Sequence, residues 1–134
     1  MKKVYDTINR YCVEHELLTN GDGIVIGLSG GMDSVCLLQV LAALRNEWQL
    51  RLVCVHVHHG IRGTAADEDA AFAQRLAAKY NISFRLYEMD IPQLAKEQGL
   101  SEEEAGRNYR YRCFEEVRKE LNFDKIAVAH HRDD

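Results

Sequence analysis

Apolar and polar residues follow two rhythms along this chain, and each change of rhythm marks an element. Residues 4–17 place Val4, Ile8, Tyr11 and Cys12 at helical spacing until Thr19-Asn20-Gly21-Asp22-Gly23 breaks the pattern, so a first helix is predicted there. Ile24-Val25-Ile26-Gly27-Leu28 is a β-branched run of the kind found in strands covered on both faces, and Ser29-Gly30-Gly31 follows it. Residues 33–44 are apolar on nearly every side, through Val35, Leu37, Leu38, Val40, Leu41 and Leu44, which suits a helix packed hard against a sheet. That helix begins at the glycine turn.

Residues 50–57 predict a second strand and residues 82–87 a third. Between them, residues 67–80 carry Phe72, Ala73, Leu76 and Tyr80 on one helical stripe. Ser101-Glu102-Glu103-Glu104 is a capping box, in which the serine and the glutamate three positions on satisfy each other's orphan amides, so a long helix is expected over residues 101–121. Residues 125–129 read as a fourth strand that leads into His130-His131-Arg132-Asp133-Asp134. Strands alternating with helices imply parallel pairing through right-handed crossovers. The expected fold is therefore α/β, an open, mainly parallel, Rossmann-like sheet with helices on both faces. No repeat, linker or low-complexity tract interrupts it, so a single domain is expected.

Composition narrows the class. With 46% hydrophobic residues over 134 positions and one proline, the chain can bury a core, which excludes disorder. Its longest apolar stretches fall far short of the roughly 18 residues of a membrane helix. Tyr5, Asp6, Asn9 and Arg10 follow Met1-Lys2-Lys3 at once, so no apolar signal region develops. A cytoplasmic protein with no membrane partner is expected. Seventeen basic against 21 acidic residues leave a formal charge of −4 and no overall basic footprint, so any RNA must meet local patches or a further region. Cys12, Cys36, Cys54 and Cys113 form no C-x-x-C pair, and reduced, buried thiols are the expectation.

Open parallel sheets bind ligands beyond the carboxyl ends of their strands. Ser29-Gly30-Gly31, His58-His59-Gly60, Glu88-Met89-Asp90 and the histidine–aspartate cluster stand at those ends. The third is what an ordinary polar turn requires; the other three are chemically denser. Ser29-Gly30-Gly31-Met32-Asp33-Ser34 joins a buried strand to a helix start, where free amides and the helix dipole favour an anion. Glycines there let the backbone approach phosphate oxygens, and the two serines add hydroxyl donors. A carboxylate in such a place either holds Mg²⁺ that bridges to phosphate or caps the helix, and Asp33 is open to both readings. No P-loop lysine is present, and Gly21-x-Gly23 lies ahead of the strand, on the wrong side for a dinucleotide fingerprint.

Ser29-Gly30-Gly31-Met32-Asp33-Ser34 resembles the PP-loop of the ATP pyrophosphatases, which cleave ATP to AMP and pyrophosphate. His58-His59-Gly60-Ile61-Arg62, Glu104-Ala105-Gly106-Arg107-Asn108-Tyr109-Arg110-Tyr111 and Ala129-His130-His131-Arg132-Asp133-Asp134 extend the likeness. Together the four motifs resemble the amino-terminal domain of the tRNA(Ile)-lysidine synthetases, from about Gly23 to the last residue. The resemblance implies a carbon–nitrogen ligase acting on isoleucine tRNA with a CAU anticodon. ATP adenylates the wobble cytidine, and the amine of free L-lysine then displaces AMP.

It further implies that Ser29, Gly30, Gly31, Met32, Asp33 and Ser34 hold ATP and its Mg²⁺. His59 and Arg62 would wall the nucleotide pocket, and Arg110, His130 and Asp134 would belong to the reaction and lysine site together with Asp33. The family continues past the aspartate pair with further motifs and tRNA-binding domains, so this chain is expected to be a fragment holding the ATP cradle and part of the lysine pocket. Self-association as a homodimer is compatible with it.

The residues weigh on these roles separately. Arg107 and Arg110 are three apart, with Phe114 continuing their face, so both are expected to border packed structure; Glu103 is placed to pair with Arg107 along the helix. His130, His131, Asp133 and Asp134 suit a cation, whether Mg²⁺ or an ammonium group. Neither these histidines nor His56-Val57-His58-His59 has a usual zinc spacing, and His56 is expected to point into the core. The rival readings are another PP-loop enzyme, such as a tRNA thiolase or a nucleotide synthetase, and an ATP-binding module without catalysis. A thiolase would call for paired or redox-active cysteines, which the scattered four do not provide.

Overall fold

The structure, a computed structural model, describes residues 18–29, 32–60 and 65–129. The helix expected over residues 4–17 lies outside them. The elements follow the order β1 (Gly23–Gly27), α1 (Met32–Trp48), β2 (Arg51–His58), α2 (Ala65–Lys79), β3 (Ser83–Glu88), α3 (Ile91–Gln98), α4 (Glu102–Leu121) and β4 (Lys125–Val128). All strand pairs are parallel, in the order β3-β2-β1-β4, with Val25 opposite Val53 on one side and Ile126 on the other.

Strand pleating sends alternate side chains to opposite faces, and the two faces carry separate cores. Ile24, Ile26 and Cys54 meet Leu38, Leu41 and Leu44 of α1 and Ala73 and Ala77 of α2. Val25, Val53, Val55 and Val57 meet Cys113, Phe114 and Val117 of α4. Both faces of the sheet are thus covered, which is why β1 is buried at all five positions. Each buried valine, leucine, isoleucine or phenylalanine among them contributes about 1.5–3 kcal/mol before conformational entropy is set against it, and the alanines less.

Helix ends obey local chemistry. Ser101 caps α4 by accepting a hydrogen bond from the Glu104 amide at 3.1 Å, the serine half of the expected capping box. Asn122, in the left-handed region at φ 56°, closes the other end. Helix α3 is not anticipated by the periodicity, because it is short and only Ile91 and Ala95 are buried. Its ends are nevertheless marked: the Asp90 carboxylate accepts from the Gln93 amide, Pro92 sits in the first turn, and Gly99 adopts φ 67° at the carboxyl cap.

The amino ends of the strands are pinned by polar contacts. Buried Asp22 accepts from Lys125 Nζ at 2.5 Å and from the Thr19 amide, while Asp124 accepts from the Gly23 amide at 2.8 Å and from Arg51. The carboxyl ends are thereby left as the open side. No helix among the described residues is long and apolar enough to cross a membrane.

Candidate functional site

The chain runs from β1 outward through β2 to β3, then returns to place β4 on the other side of β1. Helices α1 and α2 cover one face and α4 the other, so the connections diverge around the carboxyl end of β1 and open a crevice there. A cleft lies at this place, lined by Leu28, Ser29, His56, Val57, His59, Ala66, Asp69 and Arg110.

Four elements build it. Leu28 and Ser29 extend β1: the Leu28 amide donates to Val55 O at 2.9 Å, and the Leu28 carbonyl lies 2.6 Å from His56 Nδ1. That contact places a proton on Nδ1 of His56. Ser29 and Ser34 face each other across the turn, with Oγ atoms 3.2 Å apart and the Ser29 amide 3.3 Å from Ser34 Oγ. Ser34 is buried, which locks the first turn of α1 to the end of β1. Asp33 and Met32 are exposed on that same first turn. An acidic side chain there is favoured by the helix dipole, whether or not it holds a metal.

Helix α4 contributes half-buried Arg110 to the far wall, one turn before buried Phe114. Its neighbour Arg107 is exposed, so the two arginines do not share a packed face as expected. The helix turns Arg110 toward the sheet and leaves Arg107 outward. His59 enters from the loop after β2. Partial burial holds its imidazole below the usual range, and the positive charge of Arg110 pushes it the same way, with Asp69 opposing. Buried His56 is likewise lowered, by desolvation first, against its hydrogen bond to Leu28 and the charge of Asp69.

Of the residues singled out from the sequence, Ser29, His59 and Arg110 line one cleft, while Met32, Asp33 and Ser34 form the adjoining first turn of α1. Gly30, Gly31, Arg62, His130 and Asp134 lie outside the described residues. Asp69 and Ala66 were not anticipated. They come from the first turns of α2, and only the crossover brings them against β1 and α4; Asp67-Glu68-Asp69 reads in sequence as a helix start and nothing more. His56 does point inward, as expected, yet it also forms part of the cleft wall. Cys36 is half-buried, and Cys54 and Cys113 are buried free thiols, with Cys54 pushed up to about 12 by desolvation.

A strand, a serine-closed turn and a helix amino terminus beside an arginine-bearing cleft are the parts of an α/β domain of the PP-loop type. The model of the PP-loop domain matches residues 2–134, and the chain belongs to that family. It is 46% identical over 134 residues to a tRNA(Ile)-lysidine synthase from Caldanaerobacter subterraneus subsp. tengcongensis, covering all of this chain and 28% of that protein. A tRNA(Ile)-lysidine synthase from Geobacillus kaustophilus is 36% identical over 129 residues, covering 96% of this chain and again 28% of the relative. The chain therefore spans less than a third of the length of these relatives. Among solved structures it resembles a U34-tRNA thiolase from Methanococcus maripaludis, with a TM-score of 0.76, 22% identity, and coverage of 99% of this chain and 45% of that one. An NH3-dependent NAD synthetase from Campylobacter jejuni gives a TM-score of 0.70 at 18% identity, covering 98% and 57%. At these identities the two structures speak for the fold alone.

Proposed function

We infer that the cleft and the adjoining turn bind Mg-ATP, and that the chain is the ATP-using part of an enzyme converting the wobble cytidine of isoleucine tRNA to lysidine. The observation that carries this reading is the pairing of Ser29 and Ser34 across the β1–α1 turn, beside a cleft holding Arg110 and His59. The naming of the similar relatives as tRNA(Ile)-lysidine synthases supports the choice of substrate.

Chemically, the cytidine carbonyl oxygen attacks the α-phosphorus and pyrophosphate leaves; the amine of lysine then attacks the ring carbon that bears the adenylated oxygen, the carbon–oxygen bond breaks, AMP leaves with that oxygen, and the new carbon–nitrogen bond is completed by loss of the amine proton. Negative charge builds on the phosphoryl oxygens, so cations and aimed amides lower the barrier. The first amides of α1 and the Ser29 and Ser34 hydroxyls bind phosphate oxygens. Asp33 presents one exposed, hard oxygen donor on the first turn of α1, where it would hold Mg²⁺ together with the phosphate oxygens. Bound there, Mg²⁺ would supply charge neutralisation to the triphosphate. Arg110, fixed by its place on α4, holds a phosphate or the lysine carboxylate through its planar fork. His130 and Asp134 complete the lysine side, and Gly30, Gly31, Met32 and Arg62 the nucleotide side. Buried, high-pKa Cys54 is unsuited to the sulfur transfer that the thiolase alternative needs.

Two experiments test this. Mg-ATP is expected to raise the melting temperature of the chain, since a ligand that binds only the folded state stabilises it by mass action, and Asp33→Asn is expected to remove most of that gain. Equal shifts in both proteins would reduce Asp33 to a helix cap. The complete enzyme, given ATP, labelled lysine and isoleucine tRNA with a CAU anticodon, is expected to place label in the tRNA. Unlabelled tRNA would defeat the lysidine assignment.

A further inference from the structure

His58 does not line the cleft, and no role above uses it. It is nevertheless 3% exposed and bonded through both ring nitrogens. The Gly60 amide donates to Nδ1 at 2.9 Å, and Nε2 lies 2.5 Å from Asp67 Oδ1, in the first turns of α2. An amide can only donate, so Nδ1 carries the lone pair and the proton resides on Nε2, which donates to the carboxylate. Geometry thus selects one neutral tautomer.

The two bonds hold the two parts of the cleft wall that leave β2. Gly60 stands at φ 90°, where a Cβ would come within 2.8 Å of both Met89 O and Asp90 Cα. On the other side of the loop, the carbonyls of His58 and His59 accept from the Met89 and Ile91 amides at 3.0 and 3.2 Å. The segment carrying His59 is therefore clamped between the β3–α3 connection and the imidazole of His58. The Asp67 bond meanwhile ties β2 to the start of α2, which carries Ala66 and Asp69 into the cleft.

We propose that His58 is a positioning residue of the ligand cleft: as the Nε2-protonated tautomer it fixes Gly60, and through it His59, while anchoring the first turns of α2. Its effect on nucleotide binding rests on the Mg-ATP reading of that cleft. His58 touches neither the ligand nor the reacting atoms.

The two bonds can be separated by substitution. The side-chain oxygen of asparagine falls near the place of Nδ1 and can accept from Gly60, whereas the glutamine amide reaches the place of Nε2 and serves Asp67 alone. Mg-ATP affinity, measured by calorimetry on the whole chain, is expected to fall about tenfold in His58→Ala and His58→Gln, the loss of roughly one net hydrogen bond. His58→Asn is expected to recover it to within about threefold. Nitrogen-15 spectra of the imidazole at neutral pH are expected to show a bare Nδ1 and a protonated Nε2, and the Gly60 and His59 amide resonances should move in His58→Gln more than in His58→Asn. Equal affinity in all folded variants, or the opposite tautomer, would overturn the proposal. A wild-type chain that binds no Mg-ATP would instead overturn the nucleotide reading, leaving the imidazole and amide spectra to decide the role of His58.

Discussion

Gly27 lies against the helix that carries Arg110 with no room for a side chain. A Cβ built on it would lie 2.6 Å from Cζ and 2.9 Å from Cε2 of Phe114. Favourable carbon contacts sit at about 3.5–4.0 Å, so in Gly27→Ala either the ring or α4 must retreat by roughly 1 Å. The ring has little room: Phe114 is 3% exposed and meets Tyr111 edge-on, with centroids 5.8 Å apart. Overpacking of this kind costs about 1–3 kcal/mol, against which a stiffer backbone returns about 0.5–1 kcal/mol. The expected net loss is about 1–2 kcal/mol, or roughly 4–7 °C in melting temperature for a chain of this size. Phe114→Leu deletes the clashing atoms and alone costs about 1–2 kcal/mol through the void it leaves. Combined, the two changes should cost less than their sum by about 1 kcal/mol, a coupling readable from urea and thermal unfolding of the four-member cycle. Because Arg110 stands one turn before Phe114, Gly27→Ala should also weaken Mg-ATP binding. Strictly additive losses, or an undiminished melting temperature in Gly27→Ala, would refute this account of the β1–α4 contact.

Other substitutions probe neighbouring contacts. Gly106 lies inside α4, yet a Cβ there would meet only Ile91 Cγ2 at 3.6 Å and His59 Cε1 at 3.9 Å. Gly106→Ala is therefore expected to stabilise the fold by about 0.8–1 kcal/mol, seen as a higher urea midpoint; a lower midpoint would mean that His59 cannot accept the added methyl. The lowered pKa of His56 makes stability pH-dependent. The unfolded chain takes up a proton below about the ordinary value of 6.5 while the folded chain resists it, so this stability is complete above that pH and declines as pH falls below it. His56→Asn, whose amide can still donate to Leu28 O, should flatten the fall in unfolding free energy between about pH 6.5 and 5, and an unchanged slope would assign the dependence elsewhere.

Strands β1 and β2 were legible because burial on both faces leaves little but apolar residues, as in Ile24-Val25-Ile26 and Val53-Cys54-Val55, whereas β3 and β4 are only partly buried. Their bounds shift by only a residue or two. Helix α1 runs on to Trp48, past its last strongly apolar turn, and ends at Gln49 in a positive-φ conformation. Helix α3 escaped notice because two buried residues make no stripe, although Asp90, Pro92 and Gly99 punctuate it. In the site, Ser29, Ser34, His59 and Arg110 carry local signatures at strand ends or on a helix face. Asp69 and the bonds His56–Leu28 and His58–Asp67 do not, because they join residues that only the sheet order and crossovers make neighbours. His56 was expected to point into the core, but nothing local to His56-Val57-His58 shows what either imidazole grasps.

Strand β3 pairs with β2 alone among the described residues, so its other margin has no strand neighbour among them. Leu86 stands there 45% exposed, the makings of a seam along which a second chain could zip on. Arg85 beside it reaches across the opposite face to Glu120 of α4. A charged residue held in the middle of a short strand is one of the devices by which an outer strand discourages its own copy from stacking against it.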